Sequence, residues 1–141
     1  MISRKNSLAA GPEKLLNRAI KLLSLRPRSA AELKQRGLAA AIPKLVELGL
    51  IDDQKFAHWW VEQRCRLNPR GNLALRIELK QKGIDQEIIE SVLLPKEQEI
   101  KLAKKLLAKK RPADKAAAQR LLLSRGFSPE IVYSFFRLTS G

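Results

Sequence analysis

The residues in this chain that could do chemistry are mostly cations. Lys101, Lys104, Lys105, Lys109, Lys110 and Arg111 stand within eleven positions of one another. The first four recur at three- and four-residue spacing, which on a helix puts them on one face. Such a face offers charged donors to phosphate oxygens or to protein carboxylates. The same spacing is also the ordinary pattern of a solvated helix surface. A second group, Arg64, Arg66, Arg70, Arg76, Lys80 and Lys82, surrounds the turn sequence Asn68-Pro69-Arg70-Gly71-Asn72. Arg70 and Gly71 read as a tip able to approach another surface closely. Glu78 and Lys82 have the spacing of an i, i+4 ion pair. Trp59 and Trp60 point about 100° apart on a helix, so both can hardly be fully buried. Trp59 is the candidate interface anchor, against the plainer reading of one core and one boundary tryptophan.

Catalytic chemistry finds no such foothold. The 141 residues contain no glycine-rich phosphate loop, nucleophile elbow or metal-ligand spacing. Asp52 and Asp53 are adjacent, so they do not face one another as acid and base, and a helix cap explains them better. His58 reads as a surface or packing residue, and Cys65 as a small helix residue. One cysteine excludes an internal disulfide, and one histidine excludes the usual Cys/His zinc site. The expectation is a protein that is not an enzyme and carries no cofactor. No apolar run approaches the roughly 20 residues of a membrane span. Residues 1–12 are basic and polar without a signal peptide's apolar core, and are expected to be a disordered lead-in. A soluble, cytoplasmic, monomeric protein follows as the default.

The net charge is +14, from 28 Lys/Arg and 14 Asp/Glu, which bears on partners rather than on fold. Residues 13–51 hold eight cations against three acids, 52–95 seven against seven, and 96–141 eleven against four. A protein that coats DNA uniformly would not need a neutral middle. Weak, non-specific DNA binding is expected from the basic ends.

The elements that must position these groups are helices. Ile77 to Leu93 reads helix, glycine, helix: Gly83 closes the first, Ile84 packs inward, and Asp85 caps the second. The pattern returns at Leu121 to Phe136, with Gly126, Phe127, Ser128 and Pro129, and in weaker form at Glu32 to Leu38 around Gly37. The three glycines lie 46 and 43 residues apart, a period typical of helical arrays. Leu33, Leu79 and Leu122 then fall on equivalent core positions. A first helix carries the stripe Leu16, Ala19, Ile20 and Leu23 and ends before Pro27. Ser29 to Glu32 is a capping box, and a short helix runs from Pro43 to Gly49. Further helices run from Asp53 to Leu67, through Ile100, Ala103 and Leu107, and through Ala116 to Ala118. With 45% apolar but only 5% aromatic residues, each module has a thin aliphatic core. The fold class is all-α, in three three-helix repeats at 13–51 (shortened), 52–95 and 96–141.

Taken in order, Leu48-Gly49-Leu50-Ile51-Asp52-Asp53-Gln54-Lys55-Phe56-Ala57, Arg64, Arg70-Gly71, Glu78 to Ile84 and Leu123 to Ser128 resemble the RecX regulatory proteins, over roughly residues 13–138. The resemblance implies three tandem three-helix repeats in an elongated, curved array. It implies a modulator that binds the groove of the RecA recombinase filament on single-stranded DNA. Such a protein inhibits ATP hydrolysis, coprotease activity and strand exchange. The segment between Gly37 and Leu45 is shorter than the family pattern. Two rival readings remain from the residues alone: a free-standing helix-turn-helix-like DNA-binding regulator, or a helical scaffold for another acidic protein. Against the first, the helix after Gly83 carries Asp85, Glu87 and Glu90, and the helix after Gly126 is largely apolar, so neither presents an edge for reading bases.

Overall fold

The computed structural model describes residues 11–140, apart from the side chains of 135 and 137–140. Among these residues there are nine α-helices and no strand. They are α1 (Pro12–Leu25), α2 (Ala30–Gln35), α3 (Ile42–Glu47), α4 (Asp53–Leu67), α5 (Asn72–Gln81), α6 (Gln86–Val92), α7 (Lys96–Lys110), α8 (Lys115–Ser124) and α9 (Pro129–Ser140). A 3-10 turn, Ala39–Ala41, leads into α3. Of the expected lead-in, residues 1–10 lie outside the described residues, while Pro12 is already the first residue of α1. The chain forms two compact units: residues up to Phe56 with Lys82–Ile84, and Ala57–Gln81 with the residues from Asp85 onward.

In the first unit, Ala19, Leu33, Leu38, Ala41, Leu45 and Ile51 form the core, flanked by Leu15, Leu16, Leu22 and Leu23. Ile20, expected in the stripe, is 38% exposed; the buried line of α1 runs through Leu15 and Leu22 instead. The capping box at α2 is complete: Ser29 Oγ accepts the Glu32 N–H, and Glu32 Oε1 accepts the Ser29 N–H at 3.1 Å. The aspartate pair divides its work. Asp52 Oδ1 accepts the N–H groups of Gln54 and Lys55, capping α4. Asp53 Oδ1 instead accepts the Ala30 N–H at 3.1 Å, at the start of α2. Ser29 is fully buried, and its hydroxyl donates to the Lys82 carbonyl at 2.7 Å.

In the second unit, Leu102, Ala103, Leu106, Leu122, Phe127, Ile131 and Val132 form one buried cluster. Ile100 and Leu107, expected at the core, lie at its margin; the buried face of α7 is turned toward Leu102 and Leu106. Ser128 Oγ accepts the Ile131 N–H and caps α9 as expected. Asp114, not singled out from sequence, accepts the Ala117 N–H at 2.8 Å and caps α8. Asp85 occupies the N-cap position of α6, but its side chain makes no capping bond.

The repeated glycine motif closes its helices as the pattern predicts. Leu33, Leu79 and Leu122, each four residues before its glycine, are all fully buried. Gly83 and Gly126 have φ of 77° and 87°, a conformation that costs glycine little. The Phe127 N–H donates to the Leu122 carbonyl at 3.0 Å, and Leu38 to Leu33 at the same distance, the six-to-one bond of a Schellman closure. A Cβ on Gly83 would strike Ala31, and one on Gly126 would strike Ala74.

Replacing Leu79 by Ala should lower unfolding free energy by about 2–5 kcal/mol, because a fully buried leucine leaves a cavity. Ile77→Ala, on the exposed side of the same helix, should cost under about 0.5 kcal/mol. Equilibrium urea unfolding distinguishes them, and equal losses would mean that α5 buries a different face.

Acid sensitivity should trace to Glu32. Burial pushes its carboxyl upward, but the Arg26 hydrogen bond, the Ser29 N–H and the charges of Arg26 and Lys82 outweigh this and hold it below the ordinary value. A depressed folded pKa stabilises the fold above the unfolded glutamate value of about 4.3. That contribution is lost as pH falls through the lowered folded value. The stability gap between wild type and Glu32→Gln should therefore be full at pH 7 and shrink below about pH 4.3. A gap constant from pH 7 to pH 3 in urea titrations would refute this assignment.

Candidate functional site

On α7 the helix buries Glu99, Leu102, Ala103 and Leu106 and turns Lys101, Lys104, Lys105 and Lys109 to solvent. Lys110, the last residue of α7, and Arg111, just past it, continue the exposed basic surface. Among the described residues, none of these six side chains has a carboxylate within ion-pair distance. Lys105 Nζ reaches the Cys65 carbonyl at 3.5 Å. Lys101 and Lys105 border a cleft of about 250 Å³ floored by Cys65, Leu94 and Leu102. Burial pushes the Cys65 thiol up, against the opposing effect of Lys105. Arg111 closes α7 with φ 48° and ψ 61°, and its N–H donates to the Leu107 carbonyl at 2.8 Å. A side-chain-bearing residue held there costs on the order of 1 kcal/mol, and the arginine extends the row of cations.

The arginines around the Asn68–Asn72 turn behave differently. Arg64 Nε donates to Glu78 Oε1 at 3.0 Å, Trp60 Nε1 donates to the same oxygen at 2.9 Å, and the Arg64 guanidinium lies 4.9 Å from the Trp60 ring centroid. Arg70 Nε stands 3.9 Å from Glu78 Oε2 and is buried with no hydrogen-bond partner among the described residues. Glu78, expected to pair with Lys82, thus gathers Trp60, Arg64 and Arg70, while Lys82 lies 3.5 Å from Glu32. Arg76 grips Glu90 with two hydrogen bonds of 2.8 and 3.1 Å, which hold the Glu90 carboxyl below its usual range. Arg64, Arg70 and Arg76 are therefore engaged within the chain, because acids 8 to 14 residues away in sequence reach them. Arg66 and Lys80 are exposed.

Gly71 is not the outward tip that its sequence suggested. It is buried, and a Cβ there would lie 2.5 Å from the Gly126 carbonyl and from the Phe127 backbone. Its N–H donates to the Arg125 carbonyl at 2.9 Å. The surface it approaches belongs to its own chain. Trp59 and Trp60 are both half-buried, in edge contact with centroids 6.3 Å apart. With Gln63, Arg64, Leu67 and Asn68 they wall a cleft of about 180 Å³.

Two positioning residues escape sequence reading. Glu99 is almost fully buried on α7 and accepts the Asn72 N–H at 2.8 Å. Burial raises its carboxyl pKa despite that bond. Asn72 also exchanges two hydrogen bonds of 2.9 Å with the backbone of Leu94. Both residues have the look of helix-start polar residues in sequence, and only their partners 22 and 27 positions away reveal their role. Among the described residues no cluster of His, Cys, Asp and Glu could hold a metal ion. No helix there is long and apolar enough to cross a membrane.

Residues 52–93 match the second three-helix domain of RecX. The chain is similar to the regulatory protein RecX of Pelodictyon phaeoclathratiforme, 34% identical over 137 residues and covering 85% of each protein. It is 40% identical over 90 residues to that of Mycolicibacterium smegmatis, covering 57% of this chain and 48% of the relative. The match thus spans about half the length of the mycobacterial relatives. Its fold is similar to the crystal structure of RecX from Lactobacillus salivarius, with a TM-score of 0.74 and 25% identity, over 89% of this chain and 94% of the other.

Glu78→Gln should destabilise the protein by about 1.5–3 kcal/mol, the range for a hydrogen bond to a charged group. It leaves Arg64 and Arg70 without their carboxylate. Urea unfolding followed by tryptophan emission reads both the loss and the altered surroundings of Trp60. A variant within about 0.5 kcal/mol of wild type, with unchanged emission, would show the cluster to be a screened surface pair.

Proposed function

The chain belongs to the RecX family of regulatory proteins, and on that premise we propose that it is a negative regulator of the RecA recombinase. It binds the RecA filament on single-stranded DNA and restrains ATP hydrolysis, strand exchange and coprotease activity, with no catalytic step of its own. The observation that carries this reading is the division of its cations. The lysine face of α7 is exposed and without an ion pair among the described residues, whereas Arg64 and Arg76 are hydrogen-bonded to Glu78 and Glu90 and Arg70 stands 3.9 Å from Glu78. Mobile ammonium groups suit a phosphate track or a rim of protein acids. The locked arginines stiffen the middle of the chain.

The repeat boundaries 13–51, 52–95 and 96–141 belong to the same proposal. The match of 52–93 to a three-helix domain supports the middle one. The protein acts in the cytoplasm as a monomer, and its binding to naked DNA is weak and non-specific. Arg66 and Lys80, which are exposed, and Trp59, half-buried beside Trp60, complete the proposed filament contacts. The helix-turn-helix alternative finds no support: Ile131 and Val132 of α9 are buried, and α6 offers Glu87 and Glu90 where base-reading donors would stand.

Changing Lys101, Lys104, Lys105 and Lys109 together to Gln should weaken binding to naked single strands at least tenfold. It should reduce the salt slope by up to about 2.8, at roughly 0.7 per phosphate contact. Association with the filament should slow, since exposed charges act chiefly on approach. RecA ATP turnover on single-stranded DNA, titrated with each protein, is the assay. A wild type that binds naked DNA as tightly as the filament at physiological salt, or that leaves RecA turnover untouched, would overturn the proposal.

A further inference from the structure

The first unit carries a cleft of about 540 Å³, lined by Arg18, Lys21, Leu22 and Leu25 of α1 and by Arg36 at the end of α2. None of its lining residues is acidic. Arg18, Lys21 and Arg36 are exposed, and none of the three has an ion pair among the described residues. The nearby acid, Glu32, is held by Arg26 at 2.6 Å and lies 3.5 Å from Lys82. Arg28 adds a further guanidinium, nearly buried, with Nε donating to the Leu22 carbonyl at 3.4 Å. Burial, and then the charges of Arg26 and Arg36 against that of Glu32, hold that group below its usual pKa.

The floor of the cleft is apolar. Leu25 is 73% exposed, an unusual amount of free aliphatic surface to set beside guanidinium groups. The spacing on α1 accounts for the layout: Arg18, Lys21, Leu22 and Leu25 stand at i, i+3, i+4 and i+7, one helix face. Arg18 and Lys21 on that face repel one another, and a bound anion would relieve the repulsion.

We propose that this cleft seats one nucleotide of a single nucleic-acid strand, its phosphate among Arg18, Lys21 and Arg36 and its base against Leu22 and Leu25. Arginine presents paired donors that match phosphate oxygens. The apolar floor selects for a strand whose base faces are free. In a duplex those faces are stacked against each other, whereas a single strand can splay them onto a protein surface. A carboxylate-bearing peptide would satisfy the cations, but its acidic side chains bring no planar apolar face to the leucines. This goes beyond the DNA contacts ascribed to α7. Its test needs no recombinase, so it can fail while that reading stands.

The experiment is fluorescence anisotropy of a labelled oligothymidylate with the full chain, across a salt series, beside a duplex of equal length. Arg18→Gln with Arg36→Gln should weaken single-strand binding about tenfold and lower the salt slope by about 1.4, two contacts at roughly 0.7 each. Leu25→Ser should weaken single-strand binding about threefold, leave the slope unchanged and leave the duplex unaffected. Circular dichroism melting checks that each variant is folded, and Lys21→Gln, expected to lower the slope by about 0.7, serves if the double variant is not. Unchanged binding of the folded cation variants would overturn the proposal. So would equal losses on single strand and duplex with Leu25→Ser inert, which would mark a diffuse basic surface. Displacement of the strand by polyglutamate as efficiently as by unlabelled oligothymidylate would assign the cleft to protein acid and overturn it as well.

Discussion

Helix ends leave backbone donors and acceptors unpaired, and the way this chain pairs them governs much else. At the start of α5 three successive N–H groups find partners far along the chain. Gly71 donates to the Arg125 carbonyl, Asn72 to the Glu99 carboxylate, and Leu73 to the Gly126 carbonyl. The closing turn of α8 thus supplies acceptors to the opening turn of α5. The two backbones come close enough that neither Gly71 nor Gly126 has room for a Cβ. The first unit meets the same demand with other atoms. There the Ser29 hydroxyl donates to the Lys82 carbonyl, and Asp53 receives the Ala30 N–H. A glycine that closes one helix is also the surface on which another begins.

That arrangement brings charge with it. Glu99 must be buried to reach Asn72, and its raised pKa records the cost of desolvating a carboxylate. Because α7 presents its inner face to this contact and to Leu102 and Leu106, its lysines are turned outward. The open cationic face follows from a packing requirement on the opposite side of the same helix.

Arginine and lysine divide along chemical lines here. Arg64 and Arg76 use planar, directional donors to bind carboxylates on neighbouring helices, and Arg64 also lies over the Trp60 ring. The lysines of α7 are compact charges on flexible stems, better hydrated and more readily left free. In the first unit Arg18 and Arg36 depart from this division, since they remain exposed around an apolar floor.

The sequence by itself determined much of what depends on residues within about one helical turn, although the Asp85 cap, equally local, makes no side-chain bond and Ile20 is exposed. The capping box at Ser29, the Ser128 cap, the glycine closures at Gly83 and Gly126 and the buried leucine four residues before each glycine rest on local rules, and they stand. The exposure of the α7 lysines was legible for a similar reason: four ammonium groups on one face cannot be buried together without partners. Tertiary structure decided the rest. Arg64 and Arg76 read as open donors until α5 and α6 brought Glu78 and Glu90 to them from 14 positions away. Gly71 read as a projecting tip until Gly126 and Phe127 closed over it. Asp53 capped a helix other than its own, and the cationic cleft needed Arg36 brought beside Arg18 and Lys21. Spacing along one helix specifies which residues share a face. It carries no information about which distant helix end will meet that face, because the choice is made by packing and by the need to pair every buried backbone group.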